Sequence, residues 1–205
     1  MEKFTVKDLN ITYNGKNGKK VYAVDDISFE LKAGESLGII GESGSGKSTM
    51  IHSFLRLLPE KTAAVTGHAY FDDIDLLNCG EKELKDLRWK EIAVVFQKSM
   101  NSLSQIHKIG TQFEDIYRVH HPKARKQEMK EAICNLLEIV NLGPHVYQMY
   151  PFELSGGMQQ RLNIALSLMF HPSLLIMDEA TTALDVITQG QIMDEISEIE
   201  KRFSI

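Results

Sequence analysis

Gly41-Glu42-Ser43-Gly44-Ser45-Gly46-Lys47-Ser48 stands between the short apolar run Ser36-Leu37-Gly38-Ile39-Ile40 and a stretch in which Met50, Phe54 and Leu57/Leu58 recur at helical spacing. The eight residues fit G-x-x-x-x-G-K-[ST], and strand, loop, helix is the context that pattern requires. The residue types follow from the chemistry. Gly41, Gly44 and Gly46, with Ser43 and Ser45 between them, let the backbone curl until successive N–H groups point at phosphate oxygens, and the helix opening at Lys47-Ser48-Thr49 adds the positive end of its dipole. Lys47 would set an ammonium on the terminal phosphates and Ser48 a hydroxyl on Mg²⁺. An ordinary Gly/Ser turn that happens to precede a lysine is the bland alternative, and the flanking strand and helix weigh against it.

Working outward, the first forty residues alternate as strands do, with Ile27, Phe29 and Leu31 on one face, and Asn14-Gly15-Lys16-Asn17-Gly18 supplies a turn, so an antiparallel β region is expected there. Ile92-Ala93-Val94-Val95-Phe96 stops at Gln97, and Leu174-Leu175-Ile176-Met177 stops at Asp178-Glu179. Short continuous apolar runs of this kind suit parallel strands covered on both faces. Between them Met129, Ile133, Leu136 and Val140 form one apolar stripe, with Gly143-Pro144 expected to end that helix, and the last helix carries Ile192, Ile196, Ile199 and Phe203. Asp178 has the place of a carboxylate holding the Mg²⁺ of a bound nucleoside triphosphate, and Glu179 beside it can take the proton of an attacking water. Either one alone could be a solvated carboxylate at a strand end. With the glycine loop upstream, NTP hydrolysis is the leading reaction.

Composition narrows the choice further. The 205 residues include 23 Lys and Arg against 28 Asp and Glu, a net charge of −5, which disfavours a protein that grips nucleic acid by its phosphates. The two cysteines, Cys79 and Cys134, have no metal-ligand spacing and read as unpaired thiols of a reducing compartment. The N-terminal residues are charged where a signal peptide needs an apolar stretch. The longest run without a charged side chain, Leu162 to Met177, has 16 residues, short of a membrane span, and reads as a buried helix followed by a buried strand.

Leu154-Ser155-Gly156-Gly157-Met158-Gln159-Gln160-Arg161, upstream of Asp178, resembles the signature sequence of ABC-type ATPases. Its physical reading stands beside the resemblance: Ser155 looks like an N-cap, and Gly156 and Gly157 leave amides open at a helix start, a second anion site. The resemblance implies an α/β fold, the P-loop NTPase (RecA-like) core with an N-terminal antiparallel β subdomain and an inserted helical subdomain. Residues 1–100 and 154–205 would make the first two and residues 101–153 the third. It implies that ATP and Mg²⁺ are bound in a head-to-tail dimer, where Ser155, Gly156 and Gly157 of one molecule meet the γ-phosphate on the other's P-loop. Gln97 resembles the glutamine that reaches Mg²⁺ and the attacking water, and Ala183-Leu184-Asp185 the loop that contacts the other protomer. Tyr13 resembles the aromatic residue that stacks on adenine, with Tyr22 the fallback and a half-buried strand tyrosine the plainer reading of Tyr13.

Glu-Ser-Gly-Ser-Gly within the loop, Met100-Asn101-Ser102-Leu103 after Gln97, and Pro172-Ser173-Leu174-Leu175-Ile176 leading to Thr181-Thr182-Ala183-Leu184-Asp185-Val186 resemble, within that family, the oligopeptide, dipeptide and nickel importer ATPases. The implied partners are a second ABC ATPase subunit, identical or not, two membrane-spanning permease subunits and, indirectly, an extracytoplasmic solute-binding protein. The implied place is peripheral, on the cytoplasmic face of the membrane. Lys98-Ser99, Ser104-Gln105 and Ala180 depart from that group's usual residues. The family's switch histidine normally lies some thirty residues past the glutamate at Glu179, and Ile205 is 26 residues past it (205 − 179), so the chain reads as C-terminally incomplete and as binding Mg-ATP while hydrolysing it poorly. The other histidines, His107, His120, His121 and His171 among them, read as surface or packing residues. A nucleotide switch without a transport role and a hydrolysis-deficient fragment are the competing functions.

Overall fold

The computed structural model describes residues 3–15, 19–88, 90–96, 103–179, 184–203 and 205. The chain divides into two units, Met1–Arg88 and Trp89–Ile205.

The first unit is built on an antiparallel sheet. Strands β1 (Lys3–Asn14) and β2 (Lys20–Lys32) form the expected hairpin, and β3 (Ala63–Phe71) and the short β4 (Ile74–Asp75) complete the order β2-β1-β3-β4. Register runs from Lys3 opposite Lys32 to Asn14 opposite Lys20, with irregularities around Val6, Leu9 and Ile11. That slippage changes which side chains are covered. Phe29 and Leu31 are partly buried, while Ile27, expected on the same face, is exposed. Phe4, Val6, Leu9, Ile11, Ala69 and Phe71 form the buried face of the sheet, and Phe4 meets Phe54 of helix α1 (Lys47–Phe54) edge to face at 5.0 Å. Helix α2 (Glu81–Leu87) buries Leu84 and Leu87.

One expectation fails here. No strand forms over residues 36–40, and Leu37, Ile39 and Ile40 are exposed, Ile40 at 97%. An apolar run reports propensity, but a strand exists only when a ladder partner supplies the other half of each hydrogen bond. The edges of this unit's sheet are β2 and β4, and residues 36–40 join neither.

In the second unit β5 (Ile92–Val95) and β6 (Leu174–Met177) pair in parallel, Ile92 opposite Leu174 through Val95 opposite Met177. Four helices accompany them: α3 (Ile109–His120), α4 (Lys126–Ile139), α5 (Gly156–Leu168) and α6 (Val186–Phe203). The predicted stripe of α4 is the core itself, since Met129, Ile133, Leu136 and Val140 are all buried, joined by Ile109 and Phe113 of α3, Leu162 and Ala165 of α5, and Ile192, Ile196 and Ile199 of α6. Helix α4 ends earlier than Gly143-Pro144. Asn141 takes a left-handed φ of 55°, its amide donates to Glu138 O at 3.1 Å and that of Leu142 to Leu137 O at 2.9 Å, a Schellman closure with asparagine in the glycine position. Gly143-Pro144 instead opens a 3-10 turn, Pro144–Gln148. In the same core the buried Glu114 carboxylate accepts the Tyr147 hydroxyl. Both cysteines are free thiols.

Candidate functional site

The glycine loop closes on its own lysine. Lys47 Nζ donates to Gly41 O at 2.8 Å and to Glu42 O at 2.9 Å, with Ser45 Oγ at 3.5 Å. The ammonium therefore sits within the curl of backbone that the sequence pattern assigns to phosphate. Gly46 is the N-cap of α1 and takes φ 97°, and a Cβ there would lie 2.1 Å from Ala23 O of β2, so no other residue fits. Gly44 also has a left-handed φ, 82°, yet the space a Cβ would occupy there is empty, which leaves that side of the loop open. The first intrahelical bond, Met50 N to Gly46 O at 2.9 Å, starts α1 directly behind the lysine, with Ser48 and Thr49 in its first turn. Such a loop fits a triphosphate: a helix start directly behind it, a lysine held by two carbonyls and a serine hydroxyl, all neutral, and a hydroxyl one residue on. Tyr13, in the same unit, is partly buried on β1 with Val21 and Ala63 as its strand neighbours, whereas Tyr22 is largely exposed.

In the second unit the two parallel strands end together. The Asp178 amide donates to Val95 O at 2.9 Å, so the ladder is complete up to the carboxylate, which is buried at 4% exposure. Glu179 follows with φ 48°, a left-handed conformation that costs a residue with a Cβ about 1 kcal/mol or more. Gln97, with Lys98–Ser102, and Ala180–Ala183 lie outside the described residues.

Ser155 caps α5 as its sequence suggests, its hydroxyl accepting the Met158 amide at 3.3 Å. Gly156 and Gly157 are the first two helical residues, where backbone amides have no partner within the helix. The structure brings this helix start and Asp185 together. A Cβ on Gly157 would lie 2.9 Å from Thr188 Cγ2, and Thr188 donates its hydroxyl to Asp185 Oδ2 at 2.7 Å and its amide to Oδ1 at 3.0 Å. These bonds hold the Asp185 carboxyl below the usual carboxylate range. Sequence reading does not single out Thr188, because nothing marks a threonine one turn into a helix until its neighbour across space is known. Nor does it single out Glu195, which receives the guanidinium of Arg161.

A groove of about 620 Å³ opens in the second unit between the ends of α3, α4 and α5. Phe170 lies in it against His120 at 4.4 Å, His121 at 5.8 Å and Tyr117 at 6.0 Å between ring centroids. Burial, then the charges of Lys90 and His121, pushes the His120 pKa down. His171 stacks on Phe203 at 5.5 Å. The histidines thus pack as the sequence suggests, and among the described residues no cluster of three or more His, Cys, Asp or Glu could hold a metal.

A glycine loop on a lysine, a buried aspartate closing a parallel strand and a serine-capped Gly-Gly helix start are the features the sequence assigns to a nucleotide-binding protein of the cassette type. The comparison with known proteins agrees: residues 24–182 match the ABC transporter family model, and the chain belongs to that family. It is 41% identical to the oligopeptide transport ATP-binding protein OppD of Escherichia coli over 97% of this chain and 59% of that protein. It is 39% identical to the metal-staphylopine import system ATP-binding protein CntD of Staphylococcus aureus, over 99% and 74%. Among solved structures it resembles a dimeric, post-hydrolysis form of the ATP-binding cassette MJ0796 bound to ADP and Pi, with a TM-score of 0.79, 29% identity, and 94% and 81% of the two chains covered. Both α/β architecture and family resemblance are therefore as the sequence implied. The chain spans about 59% of the length of the first of these relatives.

Proposed function

We propose that this chain forms the ATP-binding part of an ABC importer that takes up peptides or a related small solute. ATP binds with its phosphates in the Gly41–Thr49 loop and is hydrolysed between two head-to-tail cassettes. The observation that carries the reading is the Lys47 ammonium lodged among loop carbonyls at 2.8 and 2.9 Å, a position it leaves for the far stronger attraction of phosphate oxygens. Magnesium, held by Ser48, Asp178 and Gln97, would neutralise charge on the phosphates. The chain's own residues do the rest. Tyr13 lies against the base. The loop amides and Lys47 orient the phosphates and hold them in line with an incoming water. Glu179 accepts the proton of that water, and Gln97 fixes its position. Ser155, with the amides of Gly156 and Gly157, meets the γ-phosphate of the ATP on the neighbouring cassette, and Asp185 touches that neighbour's loop.

The names of the OppD and CntD relatives support an importer of peptide or metal-chelate cargo, and the dimeric cassette neighbours support a sandwich of two nucleotides. The second cassette is either a copy of this chain or a homologue. The groove around Phe170, part of or next to the helical subdomain of residues 101–153, is the surface offered to two membrane-spanning permease subunits, which in turn receive solute from an extracytoplasmic binding protein. Association with the cytoplasmic face of the membrane is then peripheral, in line with the absence, among the described residues, of any helix long and apolar enough to cross it. The deciding experiment pairs Lys47→Ala with Glu179→Gln. Lys47→Ala abolishes ATP binding, and Glu179→Gln retains ATP and accumulates a dimer in size-exclusion chromatography. ATP affinity unchanged in Lys47→Ala, or monomers only in ATP-loaded Glu179→Gln, overturns the reading.

A further inference from the structure

The signature helix is clamped to the helix after Asp185 at two points. The first is the close approach of Gly157 to Thr188, whose hydroxyl and amide both hold Asp185. The second lies one turn further along α5, where Arg161 grips Glu195 with its whole fork: Nε donates to Oε2 at 2.9 Å and Oε1 at 3.2 Å, and Nη2 to Oε1 at 2.8 Å. The two side chains are only 17% and 16% exposed, and Leu162, Ile192 and Ile196, near them along the two helices, are buried. A pair so withdrawn from water adds little net stability, since desolvation offsets the attraction, but it is demanding about geometry. A planar guanidinium on a planar carboxylate fixes orientation as well as distance. Within the shared core, one contact alone would fix the distance between α5 and α6 but set the rotation of α5 about its axis less closely. Two contacts on successive turns of the same face of α5 set both.

We infer that Arg161 is a positioning residue. With Glu195 and the Gly157–Thr188 contact it makes the Ser155–Gly157 helix start and the Asp185 turn one rigid piece, so that the two segments reaching the neighbouring cassette move together or not at all. The inference rests on the proposed function for its consequence, the alignment of both segments on the neighbour's nucleotide. It does not rest on it for the mechanical coupling, which is a property of the chain without nucleotide.

The test is built on that separation. Hydrogen exchange of the nucleotide-free chain is followed at amides 159–163 of α5 and 189–193 of α6. The variants are Arg161→Lys, which keeps the charge and loses the fork, Thr188→Val, and the exchanged pair Arg161→Glu with Glu195→Arg. Arg161→Lys and Thr188→Val each speed exchange in both segments together, by about tenfold, as expected for local openings that share one lost anchor. The exchanged pair returns both towards the parent rate. In steady-state assays of the same proteins, kcat falls several-fold in Arg161→Lys while the KM for ATP stays within about twofold, because the P-loop is untouched. Faster exchange in α5 alone, no change in either segment, or an exchanged pair that fails to recover overturns the coupling. If Lys47→Ala leaves ATP affinity unchanged, the proposed function fails while the exchange result still decides the clamp.

Discussion

Asp75 shows how much one carboxylate can organise in this fold. It sits at the end of β4, and its oxygens receive the Asn78 side chain at 2.7 Å, the Leu77 amide at 3.1 Å and the Ala69 amide at 3.3 Å, with His68 Nδ1 at 2.7 Å. Burial raises its pKa, but the hydrogen bonds from Asn78, His68, Ala69 and Leu77 together outweigh burial and leave it below the ordinary carboxylate value. The folded state therefore binds this proton less readily than the unfolded state. The stabilisation is complete above the unfolded pKa, about 4, and is lost as the pH falls through the lower folded value. Thermal unfolding of the chain followed from pH 6 to about pH 3 should show a falling melting temperature whose acid slope is shallower in Asp75→Asn, which cannot titrate. Equal slopes in the two proteins would mean that other carboxylates set the acid limb. At this scale the sequence is most readable where chemistry is local. Gly41 to Ser48 announce their backbone because glycine and lysine have few alternative uses in that order, and Ser155 announces its cap. Arg161 and Glu195 are 34 positions apart (195 − 161), and no pattern links them before the helices are placed.

Among the elements, α4 was legible in its middle and not at its end. Met129, Ile133, Leu136 and Val140 recur at a spacing that only a helix turns into one face, so the core follows from the period. The stop does not, because Gly143-Pro144 is the stronger punctuation on paper while the backbone closes two residues before Gly143, on Asn141. Asparagine tolerates the left-handed region better than most residues, but less well than glycine. Asn141→Gly should therefore raise stability by about 0.5–1 kcal/mol in urea unfolding, provided the Schellman bonds persist. A loss of stability would show that the Asn141 side chain contributes more than its backbone strain costs. The run 36–40 shows the opposite failure, an element expected from composition that lacks a strand partner among the described residues of its own unit. Strand β6 was legible in both extent and end, since its apolar run stops at Asp178 where the ladder also stops, whereas β5 ends at Val95, one residue short of the apolar run that continues to Phe96.

For the molecule as a whole, the division into two units sets which parts of the proposed function can be tested separately. The glycine loop lies in the first unit and the Phe170 groove in the second. Phe170 is the aromatic centre of that groove, touching Tyr117, His120 and His121, and it is only partly buried, so the ring is not wholly committed to the core. Truncating it removes apolar surface that a docking segment would cover, while the loop's hydrogen bonds from Lys47 to Gly41 and Glu42 involve none of the same atoms. The expected result for Phe170→Ala is ATP affinity within about twofold of the parent, as for independent sites, together with loss of co-purification with the proposed membrane subunits. A merely structural phenylalanine predicts something else. Its removal would lower the melting temperature and weaken ATP binding and assembly alike, through a smaller folded fraction. The two outcomes separate when binding is normalised to folded protein: a docking residue still loses the permeases and keeps ATP, whereas a packing residue keeps both.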